Sequence, residues 1–192
     1  MNSNQLRVAG TVTDSIVDGP GLRFTLFVQG CPHHCPGCHN ADTHDFNGGK
    51  LMSIEEVFQQ IEADKGITGV TFSGGEPFSQ ASKLVKLAEL VKRKGLDLAI
   101  YSGWTFEQLT SGIIPGAKEL LQYADILIDG KFELGKKSMD ISFRGSTNQR
   151  ILDVKKSLLL GGAVKTTDPQ WLGKEAFSTD EFAPKDIKTM GW

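Results

Sequence analysis

The chain has 192 residues, with 21 Lys and Arg against 23 Asp and Glu and a formal net charge of −2. That length suits one domain with a sizeable core, and the charge balance offers no footprint for nucleic acid or an acidic membrane. No apolar run is long enough to span a bilayer, the polar start Met1-Asn-Ser-Asn-Gln5 lacks the apolar stretch of a signal peptide, and three closely spaced cysteines do not make a disulfide framework, so a reducing cytoplasm is the expected compartment.

In chain order, Leu6–Thr13 and Leu22–Gln29 are rich in Val, Thr, Leu and Phe. They read as two strands separated by the turn signal Asp18-Gly-Pro-Gly21. A cysteine loop follows the second directly. Ser53-Ile-Glu-Glu56 is a capping box, opening a helix whose apolar face is Ile54, Val57, Phe58 and Ile61. Val70–Phe72 is a short predicted strand that ends in Ser73-Gly-Gly-Glu-Pro77. A second helix is predicted from Gln80 to Lys94, with Leu84, Leu87, Ala88 and Val91 inward and Gly95 as its stop. Leu98–Tyr101 then reads as a strand, Thr105-x-x-Gln108 as the cap of a short helix, and Ala117–Tyr123 as a helix. Ile126–Ile128 reads as a buried strand closing on Asp129-Gly130, and a further strand is expected near Ile151–Val154.

This alternation predicts an α/β fold with a parallel sheet and crossover connections. A complete eight-unit barrel takes roughly 250 residues, so a partial, open barrel over residues 1–160 is the expected architecture. Residues 161–192 are polar, with two Pro, two Trp and no clear period. They are expected to form a C-terminal extension with no assigned role.

The chemistry concentrates in Cys31-Pro-His-His-Cys35-Pro-Gly-Cys38, which holds every cysteine of the chain, and all four histidines (His33, His34, His39, His44) lie in the same stretch. Thiols gathered this way point to one metal centre. Three thiolates on a four-iron cubane would leave one iron open to a ligand. Three cysteines with one of the four histidines would instead close a zinc tetrahedron, and the loop alone leaves both readings open. Pro32 and Pro36 stiffen the loop, and Gly37 permits a tight turn beside the third cysteine.

Ser73-Gly-Gly-Glu-Pro77 stands at a strand's C-terminal end, where parallel α/β folds place ligands. Gly74 and Gly75 would let the backbone approach a ligand, and Glu76 offers a carboxylate suited to an ammonium group; the plain alternative is a strand-to-helix turn. Gly75→Val is accordingly expected to spare a metal centre and weaken ligand binding. Tyr101-Ser102-Gly103 and Asp129-Gly130-Lys131 end two further strands, where a polar turn and a solvated Asp are the alternatives. Arg144, Asn148 and Arg150 are candidates to bind a carboxylate or a partner chain, while His33 and His44 read as polar loop residues.

The spacing Cys-x3-Cys-x2-Cys is the hallmark of the radical S-adenosylmethionine superfamily, which this loop resembles closely. Gly37 stands where many members carry an aromatic residue and is typical of one branch. Ser73–Pro77 matches the superfamily's Gly-Gly-Glu motif. Asp18-Gly-Pro-Gly-x-Arg23 resembles the entry sequence of the glycyl-radical activating enzymes. Gly30-Cys-Pro-His-His-Cys-Pro-Gly-Cys-His-Asn40, with Asp45-Phe46, Gly48-Gly49 and Phe143-Arg-Gly-Ser-Thr-Asn-Gln-Arg150, is most similar to the activating enzymes of anaerobic (class III) ribonucleotide reductase. The similarity runs from about Leu6 to Leu152.

The resemblance implies a partial, open TIM-like (β/α) barrel of the radical S-adenosylmethionine type. It implies a 4Fe-4S cluster on Cys31, Cys35 and Cys38, whose open iron takes the amino and carboxylate groups of S-adenosylmethionine. Gly37, His39, Ser73, Gly74, Gly75, Glu76, Tyr101 and Ser102 would surround that cofactor, with Asp129 and Lys131 in a segment that meets the cofactor or an accessory cation. An electron from a low-potential donor such as flavodoxin would cleave the cofactor to a 5′-deoxyadenosyl radical, which takes hydrogen from a glycine on the large reductase subunit. Alternatives are the same chemistry on pyruvate formate-lyase or another glycyl-radical enzyme, a short-barrel enzyme acting on a small molecule such as carboxy-deazaguanine synthase, and a Cys3His zinc module without enzymatic activity.

Overall fold

The computed structural model describes residues 4–173. Its seven strands are β1 (Gln5–Ser15), β2 (Arg23–Val28), β3 (Lys50–Ser53), β4 (Gly69–Gly74), β5 (Asp97–Ser102), β6 (Ile126–Asp129) and β7 (Arg150–Asp153). They form one sheet in the order β3-β1-β2-β4-β5-β6-β7, open between the edge strands β3 and β7. The helices are α1 (Ile54–Ala63), α2 (Ala81–Arg93), α3 (Phe106–Thr110), α4 (Ala117–Leu121), α5 (Val154–Leu160) and α6 (Pro169–Leu172).

The wholly parallel sheet expected from the sequence is corrected to a mixed one. β2, β4, β5 and β6 are mutually parallel, while β1 pairs antiparallel with β2 and β3, and β7 antiparallel with β6. For β1 and β2 the reason is connection length. A parallel neighbour needs a crossover of a dozen or more residues, and the Asp18–Gly21 turn allows only a hairpin. β3 and α5 escaped the sequence reading. Four residues give β3 no alternation to detect, and α5 is set by its ends, where Asp153 accepts a hydrogen bond from the Lys156 amide and Gly161 takes φ +69°.

Alternation along the strands gives the sheet two unlike faces. One side presents Phe24, Leu26, Phe72, Leu98, Ile100 and Leu127, which pack in a single core with Val57 and Ile61 of α1 and Leu84, Leu87 and Val91 of α2. Each such buried side chain contributes about 1.5–3 kcal/mol. Both capping boxes form as read, Ser53 with Glu56 ahead of α1 and Thr105 with Gln108 ahead of α3.

The other side combines a second, smaller apolar cluster of Ala99, Ile126, Ile128, Ile151 and Trp171 with polar groups. Arg23, 0% exposed, donates to Thr71 Oγ1 (2.7 Å), the Val70 carbonyl (2.8 Å) and both Asp97 oxygens (3.1 and 2.6 Å). Asp18 takes hydroxyl hydrogen bonds from Ser15 and Thr25. The Asp-Gly-Pro-Gly-x-Arg sequence is thereby the lining of this face.

The segment after Gly161 begins alongside β7, where Asp153 and Thr166 amides donate to the carbonyls of Val164 and Ile151. Trp171, 4% exposed, then sits over the Arg23 guanidinium at 5.4 Å and against the Phe143 ring. The rest of the expected extension, residues 174–192, lies outside the described residues. Among the described residues no helix is long and apolar enough to cross a membrane.

Candidate functional site

The C-terminal ends of β2, β4, β5 and β6 open on one cleft of about 790 Å³, lined by Cys31, Cys35 and Cys38, by residues 73–76 and 101–103, and by Gly130. A larger hollow of about 1020 Å³ lies at the opposite strand ends near Gly21, Thr68, Asp97 and Trp171, and none of the expected site residues borders it.

The cysteine loop leaves β2 through Gly30 (φ +97°), and the Gly30 and Cys31 amides bond to the carbonyls of Thr43 and His44, which closes the loop's base. Gly37 turns the chain at φ +73°, and its missing side chain leaves room for Leu134 and Phe132. All three cysteines are free. Burial above all pushes the Cys31 thiol up to about 11, with Glu76 and Cys35 adding to the rise against two backbone hydrogen bonds. Burial also raises Cys35, opposed by a backbone hydrogen bond from Phe132 and the charge of Lys131. Thiols held neutral must shed protons before they ligate.

The end of β4 is laced to the loop. The Gly75 amide donates to the Val28 carbonyl (2.8 Å) and the Glu76 amide to the Gly30 carbonyl (2.9 Å). A Cβ on Gly75 would come within 2.5 Å of the Gly30 carbonyl oxygen. The expectation that Gly75→Val spares the metal centre is therefore corrected, because its side chain would drive into the backbone that launches Cys31. Glu76 is 0% exposed, and its carboxylate accepts from the Phe78 amide, the Ser102 hydroxyl and the Gly103 amide. His33 Nε2 stands 2.8 Å from the same carboxylate. The group read as open to an ammonium is turned into the protein.

Cys31, Cys35, Cys38, His39, Ser73, Gly74, Gly75, Glu76, Tyr101 and Ser102 thus share one cleft, whereas Gly37, Asp129 and Lys131 are not among its lining residues. Tyr101 donates its hydroxyl to the Phe143 carbonyl (2.9 Å), and burial raises the phenol above its ordinary range. Asp129, 1% exposed, is not a solvated strand-end acid. Arg150 donates to it at 2.8 and 2.5 Å and the Phe106 amide at 2.7 Å. Lys131 is exposed, with its carbonyl bonded to Asn148. Arg150 is correspondingly an internal strut, also paired with Glu107.

His33 departs furthest from its expected role as a polar loop residue. Its side chain is 6% exposed, in edge contact with Trp104 and pressed on Gly103, where a Cβ would meet the ring at 2.3 Å. No local pattern announces this, since its partners lie 43 and more residues away. Sequence reading missed Met139 and Ile141, which wall the cleft from the irregular stretch between β6 and β7 together with Arg144, a candidate named from the sequence.

A family model described as a 4Fe-4S single cluster domain matches residues 17–152. The anaerobic ribonucleoside-triphosphate reductase-activating protein of Vibrio cholerae is 36% identical over 145 residues, covering 71% of this chain and 90% of the relative. Its namesake in Pasteurella multocida is 38% identical over 146 residues, with the same two coverages. That of Enterobacteria phage T4 is 33% identical over 141 residues, covering 70% and 86%.

The chain belongs to this family of activating proteins. Family membership brings an iron–sulfur cofactor, and the donor set fits one. Three free thiols from one loop border a common cleft. Among the described residues no three His, Cys, Asp or Glu side chains converge on a position for one metal ion.

Proposed function

We propose that this chain is a radical S-adenosylmethionine enzyme that activates an anaerobic ribonucleotide reductase. Cys31, Cys35 and Cys38 hold a 4Fe-4S cluster with one open iron, and the open sheet is a partial TIM-like barrel spanning residues 1–160, with 161–192 as an extension. When bound, the cluster and S-adenosylmethionine supply a reductively generated 5′-deoxyadenosyl radical able to take hydrogen from a glycine α-carbon of the reductase's large subunit. The observation that carries this reading is the meeting of all three thiols with the ends of β4 and β5 in one cleft.

The residues of the chain supply placement and exclusion. Ser73 and Gly74, at the end of β4, and His39 border the space beside the cysteines that the cofactor would fill. Tyr101 is held by its hydroxyl to Phe143, so its ring and Phe27 form an apolar wall that keeps water from a reactive species. The sheet is unclosed between β3 and β7, and a peptide loop of a large partner needs such a lateral way in. The relatives' names favour ribonucleotide reductase over pyruvate formate-lyase as the target. In this reading a low-potential donor such as flavodoxin supplies the electron.

The test is anaerobic reconstitution with iron and sulfide, reduction with dithionite, and electron paramagnetic resonance with and without S-adenosylmethionine. A reduced-cluster signal that changes with the cofactor, together with 5′-deoxyadenosine in the same tube, is the expected result. Bound zinc with no cluster signal overturns the reading.

A further inference from the structure

The Glu76 carboxylate has about four lone-pair positions, and the protein fills them. Oε1 accepts from the Phe78 amide (3.0 Å) and the Ser102 hydroxyl (3.0 Å). Oε2 accepts from the Gly103 amide (2.8 Å), faces His33 Nε2 at 2.8 Å, and has a longer Ser102 contact at 3.2 Å. No position remains for a ligand's ammonium group. The bonds instead join three separate pieces of chain: the turn after β4, the end of β5 and the cysteine loop.

His33 is the loop's only partner in that set, and it lies between Cys31 and Cys35 in sequence. Its ring is confined on two further sides, by Trp104 at 4.7 Å between centroids and by Gly103, where nothing larger than glycine fits. The loop's base is held separately, through Gly30 and Cys31 to Thr43 and His44. Cys31 lies between these two fastenings and is 8% exposed.

We propose that His33 and Glu76 are positioning residues, an imidazole–carboxylate clamp that fastens the cysteine loop to the ends of β4 and β5 and fixes where Cys31 and Cys35 present their sulfurs. The inference rests on the iron–sulfur reading above, and it gives Glu76 a task other than ligand contact. Groups that orient metal ligands in this way typically alter metal affinity by 10- to 100-fold when removed.

Two readouts test the clamp on the full chain. In the metal-free protein, alkylation of Cys31 is followed by peptide mass mapping, and in the reconstituted protein, loss of iron to a chelator is timed and the reduced-cluster spectrum recorded. His33→Ala is expected to speed both Cys31 alkylation and iron loss by about ten-fold. His33→Gln, whose amide nitrogen reaches the same position, is expected to restore most of the difference. Gly103→Ala, whose Cβ would crowd the ring while keeping the amide that donates to Glu76, is expected to act in the same direction should His33→Ala fail to fold. Wild-type rates and an unchanged spectrum in folded His33→Ala overturn the clamp, as does a loss that His33→Gln leaves wholly unrepaired. A wild-type protein that takes up no iron while His33→Ala still exposes Cys31 sinks the cluster reading and leaves the clamp on the loop standing.

Discussion

The two faces of the sheet are built from the same strands to different ends. On the helix-covered face, side chains two residues apart (Phe24 and Leu26, Leu98 and Ile100) are apolar and wholly buried. The opposite face adds polar groups, with Arg23, Thr25, Thr71 and Asp97 tied by directional hydrogen bonds and closed over by Trp171. One face gains stability from area removed from water, which tolerates similar shapes. The other adds to a smaller apolar cluster, Ala99, Ile126, Ile128, Ile151 and Trp171, contacts that depend on particular atoms meeting, and it leads up to the cleft. A strand changed on one side should therefore lose stability, and at the top of the other side it should lose chemistry.

The largest effect expected is on chemistry. Cys35→Ser should abolish cluster assembly while thermal unfolding stays close to wild type, because the loop lies above the sheet and not in its core; a collapsed fold would show the two regions to be inseparable. Phe72→Ala, on the helix-covered face, should cost about 3–5 kcal/mol in denaturant unfolding and leave iron per folded chain unchanged. Trp171→Ala should cost about 3 kcal/mol, at the lower end of the range for such truncations because it borders an open hollow. A negligible loss there would mean the polar face needs no cover. Ser53→Ala should cost about 1 kcal/mol through the lost cap of α1, with no change at the cleft.

The smallest expected effect is one of acid. The Arg150 guanidinium lowers Glu107 to about 2 from its ordinary 4.5. A carboxylate depressed on folding stabilises above its unfolded value, and that contribution fades as pH falls from about 4.5 toward 2. Glu107 is 56% exposed, so water screens the pair and the loss should be about 0.5 kcal/mol. Glu107→Gln should flatten that part of the stability–pH profile and nothing else.

The two faces were also unequally legible in the sequence. The helix-covered face follows from local signals, namely capping boxes at Ser53 and Thr105, the period through α2 and the stop at Gly95, and these elements lie within a residue or two of their predicted limits. The cysteine loop and the turn after β4 were legible because their chemistry is written in contiguous residues. The polar face was not, since Arg23 and Asp97 are 74 residues apart and His33 and Glu76 are 43 apart. Charge and size at single positions do not name a distant partner, so Glu76 read as a ligand group and Asp129 as either a cofactor-segment residue or a solvated acid. Strand direction failed at β1 and β2, where alternation suggests a crossover and only the short connection marks a hairpin.

The most direct test is to incubate the reduced, reconstituted chain with S-adenosylmethionine and the large subunit of an anaerobic ribonucleotide reductase, then record the paramagnetic resonance of that subunit. A glycyl radical on the reductase, absent when Cys35→Ser replaces the wild type, is the expected result. A reduced cluster that cleaves S-adenosylmethionine yet leaves the reductase without a radical would contradict the proposed function.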